Sequence, residues 1–88
     1  MKILFAKESL KDYRYWEAND QKIFKRINRL IQVCKVTPFR GLGKPEPLKQ
    51  NLTSYWSRRI THEHRLVYKI SGKGTDKKMI IIQCKYHY

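Results

Sequence analysis

One glutamate stands between lysines in a chain where acids are rare: Lys44-Pro45-Glu46-Pro47-Leu48-Lys49. A carboxylate there repels the phosphates its neighbours attract, so for plain RNA or DNA binding it is a cost. Proton transfer gives it a use. With His87, Arg59 and Arg65 it makes a set able to cleave RNA without a metal. Glu46 would take the proton of a ribose 2′-OH, whose oxygen would attack the adjacent phosphorus. His87 would protonate the departing 5′-oxygen, and each such proton transfer is worth typically about 10²–10⁴-fold. Arg65, helped by Arg59 and Lys49, would offset charge developing on the phosphoryl oxygens; one well-aimed donor is worth roughly 3–4 kcal/mol. The chemistry demands RNA, because DNA lacks the nucleophile.

The rest of the chain suits a polyanionic partner. Its formal net charge is +13 over 88 residues. In the first twenty, Lys2, Lys7, Lys11 and Arg14 balance Glu8, Asp12, Glu17 and Asp20, and beyond them only Glu46, Glu63 and Asp76 are acidic. Lys44 and Arg58 join the cations expected to meet phosphates, each neutralised phosphate releasing condensed counterions. Tyr55, Trp56, Tyr86 and Tyr88 are candidates to stack on splayed bases. Cys34 and Cys84 lie fifty residues apart among apolar residues, without metal-ligand spacing. They read as reduced buried thiols in a cytoplasmic protein, and neither a metal nor another cofactor is implied. The apolar run at the N-terminus is too short for a signal peptide or a membrane span. Length and composition allow one domain, residues 1–88, with one modest core.

The elements that position these residues can be read from periodicity. Met1 to Phe5 reads as a strand and Lys7 to Ala18 as a helix, with Asn19-Asp20 as break and cap. Ile23, Ile27, Leu30, Ile31 and Cys34 then share one helical face, opposite a basic stripe of Lys22, Lys25, Arg26 and Arg29. Thr37-Pro38 ends that helix. Residues Phe39 to Thr53 form a loop that presents Glu46 and Lys49 at a sheet edge. Strands follow at Tyr55 to Ile60, Arg65 to Ile70 and Lys78 to Tyr86, joined by short turns as an antiparallel meander. The class is α+β, the two helices covering one sheet face. Alternation places Arg59 and Arg65 on the open face and assigns Ile80, Ile82, Cys84 and Tyr86 to the helices. Met79, Ile81, Gln83, Lys85 and His87 then face outward, unless a bulge inverts the parity. His62 and His64, in a turn with Glu63, read as solvated.

Duller roles exist for each site residue. Glu46 could pair with Lys44 or Lys49 in an exposed contact worth well under ~1 kcal/mol. Arg58, Arg59 and Arg65 could merely solubilise a sheet. The competing function is therefore a non-catalytic RNA- or ribosome-binding inhibitor of translation. A DNA-binding module is weaker still, because no helix carries a base-reading pattern.

A longer set of motifs bears on that choice. Thr37-Pro38-Phe39, Gly41, Gly43-Lys44-Pro45-Glu46-Pro47-Leu48-Lys49, Asn51-Leu52 and Trp56-Ser57-Arg58-Arg59-Ile60-Thr61 resemble the YoeB/Txe toxins of the RelE superfamily. So do Glu63-His64-Arg65-Leu66-Val67-Tyr68 and the ending Cys84-Lys85-Tyr86-His87-Tyr88, and the resemblance covers essentially the whole chain. The turn from Ser71 to Lys78 departs from it, being longer and more basic than is usual. The resemblance implies a twisted antiparallel sheet with N-terminal helices and a ribosome-dependent mRNA interferase cutting in the A site of the 70S ribosome. It implies neutralisation by a YefM-like antitoxin and a homodimer. By matching motif it implies Glu46 as general base, His87 as general acid and Arg65 as phosphate-stabilising residue, with Arg59, Lys49 and Tyr88 in support. An ionised glutamate is a weak base near neutral pH. The free protein is accordingly expected to be a poor nuclease, with ribosome-bound mRNA completing the site.

Overall fold

The computed structural model describes residues 1–86; His87 and Tyr88, the expected acid and a supporting tyrosine, lie outside the described residues. Strand β1 (Lys2–Phe5) leads into helices α1 (Lys7–Asn19) and α2 (Gln21–Val36). Asp20 separates the helices and caps the second, its carboxylate accepting the N–H groups of Lys22 and Ile23 at 3.1 Å each. Such a cap is worth about 1 kcal/mol. Thr37 closes α2 just before Pro38, as the restriction on residues preceding proline requires. Ile27, Leu30, Ile31 and Cys34 are buried on one face of α2, which is the face their spacing selects.

Four further strands, β2 (Glu46–Pro47), β3 (Trp56–Arg59), β4 (Arg65–Ser71) and β5 (Lys78–Gln83), complete a sheet of order β1-β5-β4-β3-β2. The last three strands form the expected antiparallel meander. The sheet as a whole is mixed rather than antiparallel, because β1 runs parallel to β5, Lys2 opposite Lys78 through Phe5 opposite Ile81. The helices carry the chain from one edge to the other, and the meander returns to β1 pointing the same way; parallel neighbours need such a long crossover. The core fills between helices and sheet, from Trp16, Ile27, Leu30, Ile31 and Cys34 to Ile60, Leu66, Tyr68, Met79, Ile81 and Cys84.

The facing of β5 differs from simple alternation. Met79 and Ile81 are fully buried against the helices, whereas Ile80 and Ile82 are half-buried on the other side. A register shift lies between Val67 and Tyr68, which pair with Gln83 and Ile81, so Ile82 is the extra residue of a bulge. Past the bulge the parity reverses. Cys84 therefore joins Met79 and Ile81 in the core, and no single alternating set describes the whole segment.

Candidate active site

Cross-strand partners share a face, and the register assembles one continuous row from the loop edge inward. Glu46 lies opposite Ser57, Ser57 opposite Val67, and Val67 opposite Gln83. Beside this row Arg59 lies opposite Arg65. Ser57 and Val67 are buried and form a floor; Glu46 and Arg59 are exposed and Arg65 is half-buried at its margin. On the same face Lys69 places its ammonium 5.5 Å from the centre of the Tyr55 ring. The structure thus brings Glu46, Arg59 and Arg65 to one side of the sheet, away from the helices. Among the described residues, the lysine or arginine paired with a carboxylate is Lys11, with Glu8, so Glu46 is not consumed by its flanking lysines.

The segment bearing Glu46 is more ordered than a plain loop. Glu46 and Pro47 form a two-residue strand, Leu48 N–H bonds to Tyr55 O at 2.9 Å, and Gln50–Leu52 make a 3-10 turn. Together residues 46–52 line an open hollow of about 400 Å³. Lys49, in its lining, is exposed, as is Lys44 two residues before Glu46. Gly43 anchors the entry: its carbonyl accepts Arg59 N–H at 2.7 Å and its φ is +89°.

Arg58 does not belong to the phosphate-facing set in which its type and position had placed it. It is fully buried. Its guanidinium donates to Leu42 O at 2.8 Å, Arg40 O at 3.0 Å, Tyr68 Oη at 3.1 Å and Thr37 O. The opposite parity from Arg59 directs it to the helix side, where it satisfies carbonyls of the segment between α2 and β2. Trp56 also faces that side, its ring 4.8 Å from Phe39, and not the surface on which bases could stack.

Residues 84–86 are held beside Arg65. Trp16 Nε1 donates to Cys84 O at 2.8 Å, and Gln83 Nε2 donates to Lys85 O at 3.0 Å and Tyr86 O at 3.3 Å. Tyr86 O also accepts the backbone N–H of Arg65 at 3.1 Å. The Tyr86 ring is exposed, next to the point where His87 and Tyr88 follow. Lys85 does not point to the open face; its ammonium sits 3.6 Å from the Tyr15 ring centre. His64 is not solvated either, but buried between Trp16 and Tyr86. Arg65 Nη1 donates to Thr61 O at 2.8 Å and to His62 O and His64 O at 3.1 Å, tying the turn to the site. Reading His64 as solvated and Gln83 only as outward-facing gave neither a role at the site. The signal available for Gln83 was an amide directly after the apolar run Met79 to Ile82.

The sequence and the fold as a whole have counterparts among known proteins. A family model describing YoeB-like toxins of bacterial type II toxin–antitoxin systems matches residues 5–88. The chain belongs to the YoeB toxin family. Toxin YoeB of Escherichia coli K12 is 53% identical over 88 residues, with complete coverage of both chains. Among solved structures, a YoeB/ParE toxin from Agrobacterium tumefaciens is 50% identical, with complete mutual coverage and a TM-score of 0.98. YoeB from Staphylococcus aureus, solved as a dimer and in a heterotetrameric YoeB–YefM complex, is 46% identical with a TM-score of 0.89, over 100% of this chain and 98% of that one. A YoeB-family chain is thus a toxin of a toxin–antitoxin system, and its α+β sheet-and-helix fold is the one found here. Among the described residues no group of three or more His, Cys, Asp and Glu could hold a metal ion, and no helix is long and apolar enough to cross a membrane.

Proposed function

We propose that this toxin is a ribosome-dependent mRNA interferase, cutting mRNA in the ribosomal A site by attack of a ribose 2′-oxygen on the adjacent phosphorus. The observation that supports this best is the register that sets Glu46 on the same sheet face as Arg59 and Arg65. Glu46 is the base for the 2′-OH; Arg65 and Arg59 face the phosphoryl oxygens as charge develops on them. His87, one residue past the anchored Tyr86, is the acid for the 5′-oxygen, with Lys44, Lys49, Tyr86 and Tyr88 binding the strand. The bond made is 2′-O–P and the bond broken is P–5′-O, the proton passing from ribose to Glu46 while His87 gives another to the leaving oxygen. By likeness to the S. aureus assemblies, a YefM-like antitoxin and a second copy of the chain are the expected partners; a bacterial cytoplasm is the setting this reading requires. An mRNA carrying a single 2′-deoxyribose at the cleavage position tests the chemistry. It is expected to bind programmed ribosomes with the toxin yet stay intact. Cleavage at the modified position at the normal rate would refute the 2′-oxygen mechanism.

A further inference from the structure

His64 is a buried titratable side chain that the proposed chemistry leaves unused. It is only 6% exposed, wedged with its ring centre 4.7 Å from Trp16 and 5.5 Å from Tyr86. Such a histidine could be simple core filling, but its bonds are directional. Its Nδ1 accepts the backbone N–H of Tyr86 at 2.7 Å, so that nitrogen carries no proton. Its Nε2 faces Glu63 Oε1 at 3.3 Å, which fixes the proton there. The next residue, Arg65, uses its own backbone N–H on Tyr86 O. His64, just before β4, and Arg65, its first residue, thus grip both polar groups of one peptide residue, and Gln83 Nε2 adds a third hold.

The gripped residue needs holding. Tyr86 has φ +64°, a left-handed conformation that costs a non-glycine residue free energy and persists where the surroundings enforce it. The turn that carries His64 is itself locked: Thr61 Oγ1 accepts the N–H groups of Glu63 and His64, and His64 O accepts those of Ile60 and Thr61. A rigid turn therefore imposes a bend on the chain immediately before His87.

We infer that His64 is a positioning residue for the cleavage reaction, its Nδ1 holding Tyr86 so that the following imidazole is delivered to the leaving oxygen beside Arg65. This rests on the reading of His87 as general acid given above. An acceptor at the Nδ1 position is the required property, so His64→Asn, whose amide oxygen can occupy that position, keeps it. His64→Gln sets its amide farther out, near Nε2, and loses it. Both replace the ring by an amide, and glutamine fills more of the ring's volume than asparagine, so a role in packing alone favours His64→Gln.

The experiment measures single-turnover cleavage on programmed ribosomes for wild type, His64→Asn and His64→Gln, with thermal denaturation and the Tyr86 amide resonance of ¹⁵N-labelled free protein. His64→Gln is expected to lose about 10²-fold in rate at saturating toxin with little change in the concentration dependence, as misplacement of a catalytic group does. His64→Asn is expected to recover most of that loss, and its Tyr86 amide to stay hydrogen-bonded and shifted downfield as in wild type. Equal rates for wild type and a folded His64→Gln would overturn the inference, as would equal losses in the two variants. If wild-type toxin itself leaves mRNA uncut, the nuclease reading fails first. The Tyr86 resonance then still reports whether the clamp exists, and an unperturbed resonance in His64→Gln refutes the clamp separately.

Discussion

Arg58 and Arg59 are sequence neighbours with opposite duties. Arg58 replaces water for three backbone carbonyls and a tyrosine hydroxyl in the interior, whereas Arg59 is exposed on the face that carries Glu46. Removing a buried donor strands its acceptors, each worth about 1–3 kcal/mol. Arg58→Met is therefore expected to lower the unfolding free energy by about 3 kcal/mol or more in urea titrations. Arg59→Ala should leave stability within about 0.5 kcal/mol and reduce ribosomal cleavage by about 10²–10³-fold. The reverse pattern would mean that the two arginines are misassigned. Strand parity alone separates them, since it sets Arg59 with Ser57 and so turns Arg58 the other way. Composition obscured this, because an arginine in a basic chain reads as a phosphate ligand. Nothing in the sequence shows that the carbonyls of residues 37–42 need a donor from within.

At the scale of elements, the site depends on how the segment after α2 meets β3. Gly43 is the joint. A Cβ there would lie 2.9 Å from Leu30 Cδ2, 3.1 Å from Arg58 Cβ and 3.3 Å from Arg59 O, at a φ of +89°. Gly43→Ala is accordingly expected to cost about 1–3 kcal/mol, read as a lowered thermal midpoint, and to reduce cleavage as the strand bearing Glu46 shifts. Unchanged stability and activity would show that the joint is not built this way. Much at this scale was legible: the capped second helix, its buried face, its end at Pro38 and the three-strand meander each follow from local residue chemistry. Two features were not. The parallel pairing of β1 with β5 is a long-range choice made by the helical crossover. The bulge at Ile82 moves Met79 and Ile81 inward although Ile80 and Ile82 are equally apolar, so side-chain type could not locate it. Glu46 and Pro47 form too short a strand for any periodicity to reveal. The ordered bonding of Cys84 to Tyr86 likewise depends on side chains remote in sequence, Trp16 and His64.

For the molecule as a whole, charge and core pull in separate directions. The surplus of cations is carried outside, while the interior withholds ionisation from its own acids. Burial pushes the Tyr68 hydroxyl from its ordinary 10.0 up to about 12, and burial pushes the Cys84 thiol from 9.0 up to about 12. Both are neutral when protonated, so the folded chain keeps protons that the unfolded chain releases. Their contribution to stability is complete below pH about 9 and is lost as pH rises towards 12. Chemical denaturation at stepped alkaline pH is expected to show a flat midpoint up to about pH 9, then a continuous fall. A midpoint that stays level through pH 11 would contradict the buried, neutral state of these groups.

Primer extension on a defined mRNA decides whether this basic surface is an active site organised around Glu46. The mRNA is presented naked and on programmed ribosomes, with wild type and with Glu46→Ala. A new stop in register with the A-site codon is expected, present only with ribosomes and only with wild type. Translation inhibited equally by both proteins, with no new RNA ends, would contradict it and leave a ribosome-blocking binder in its place.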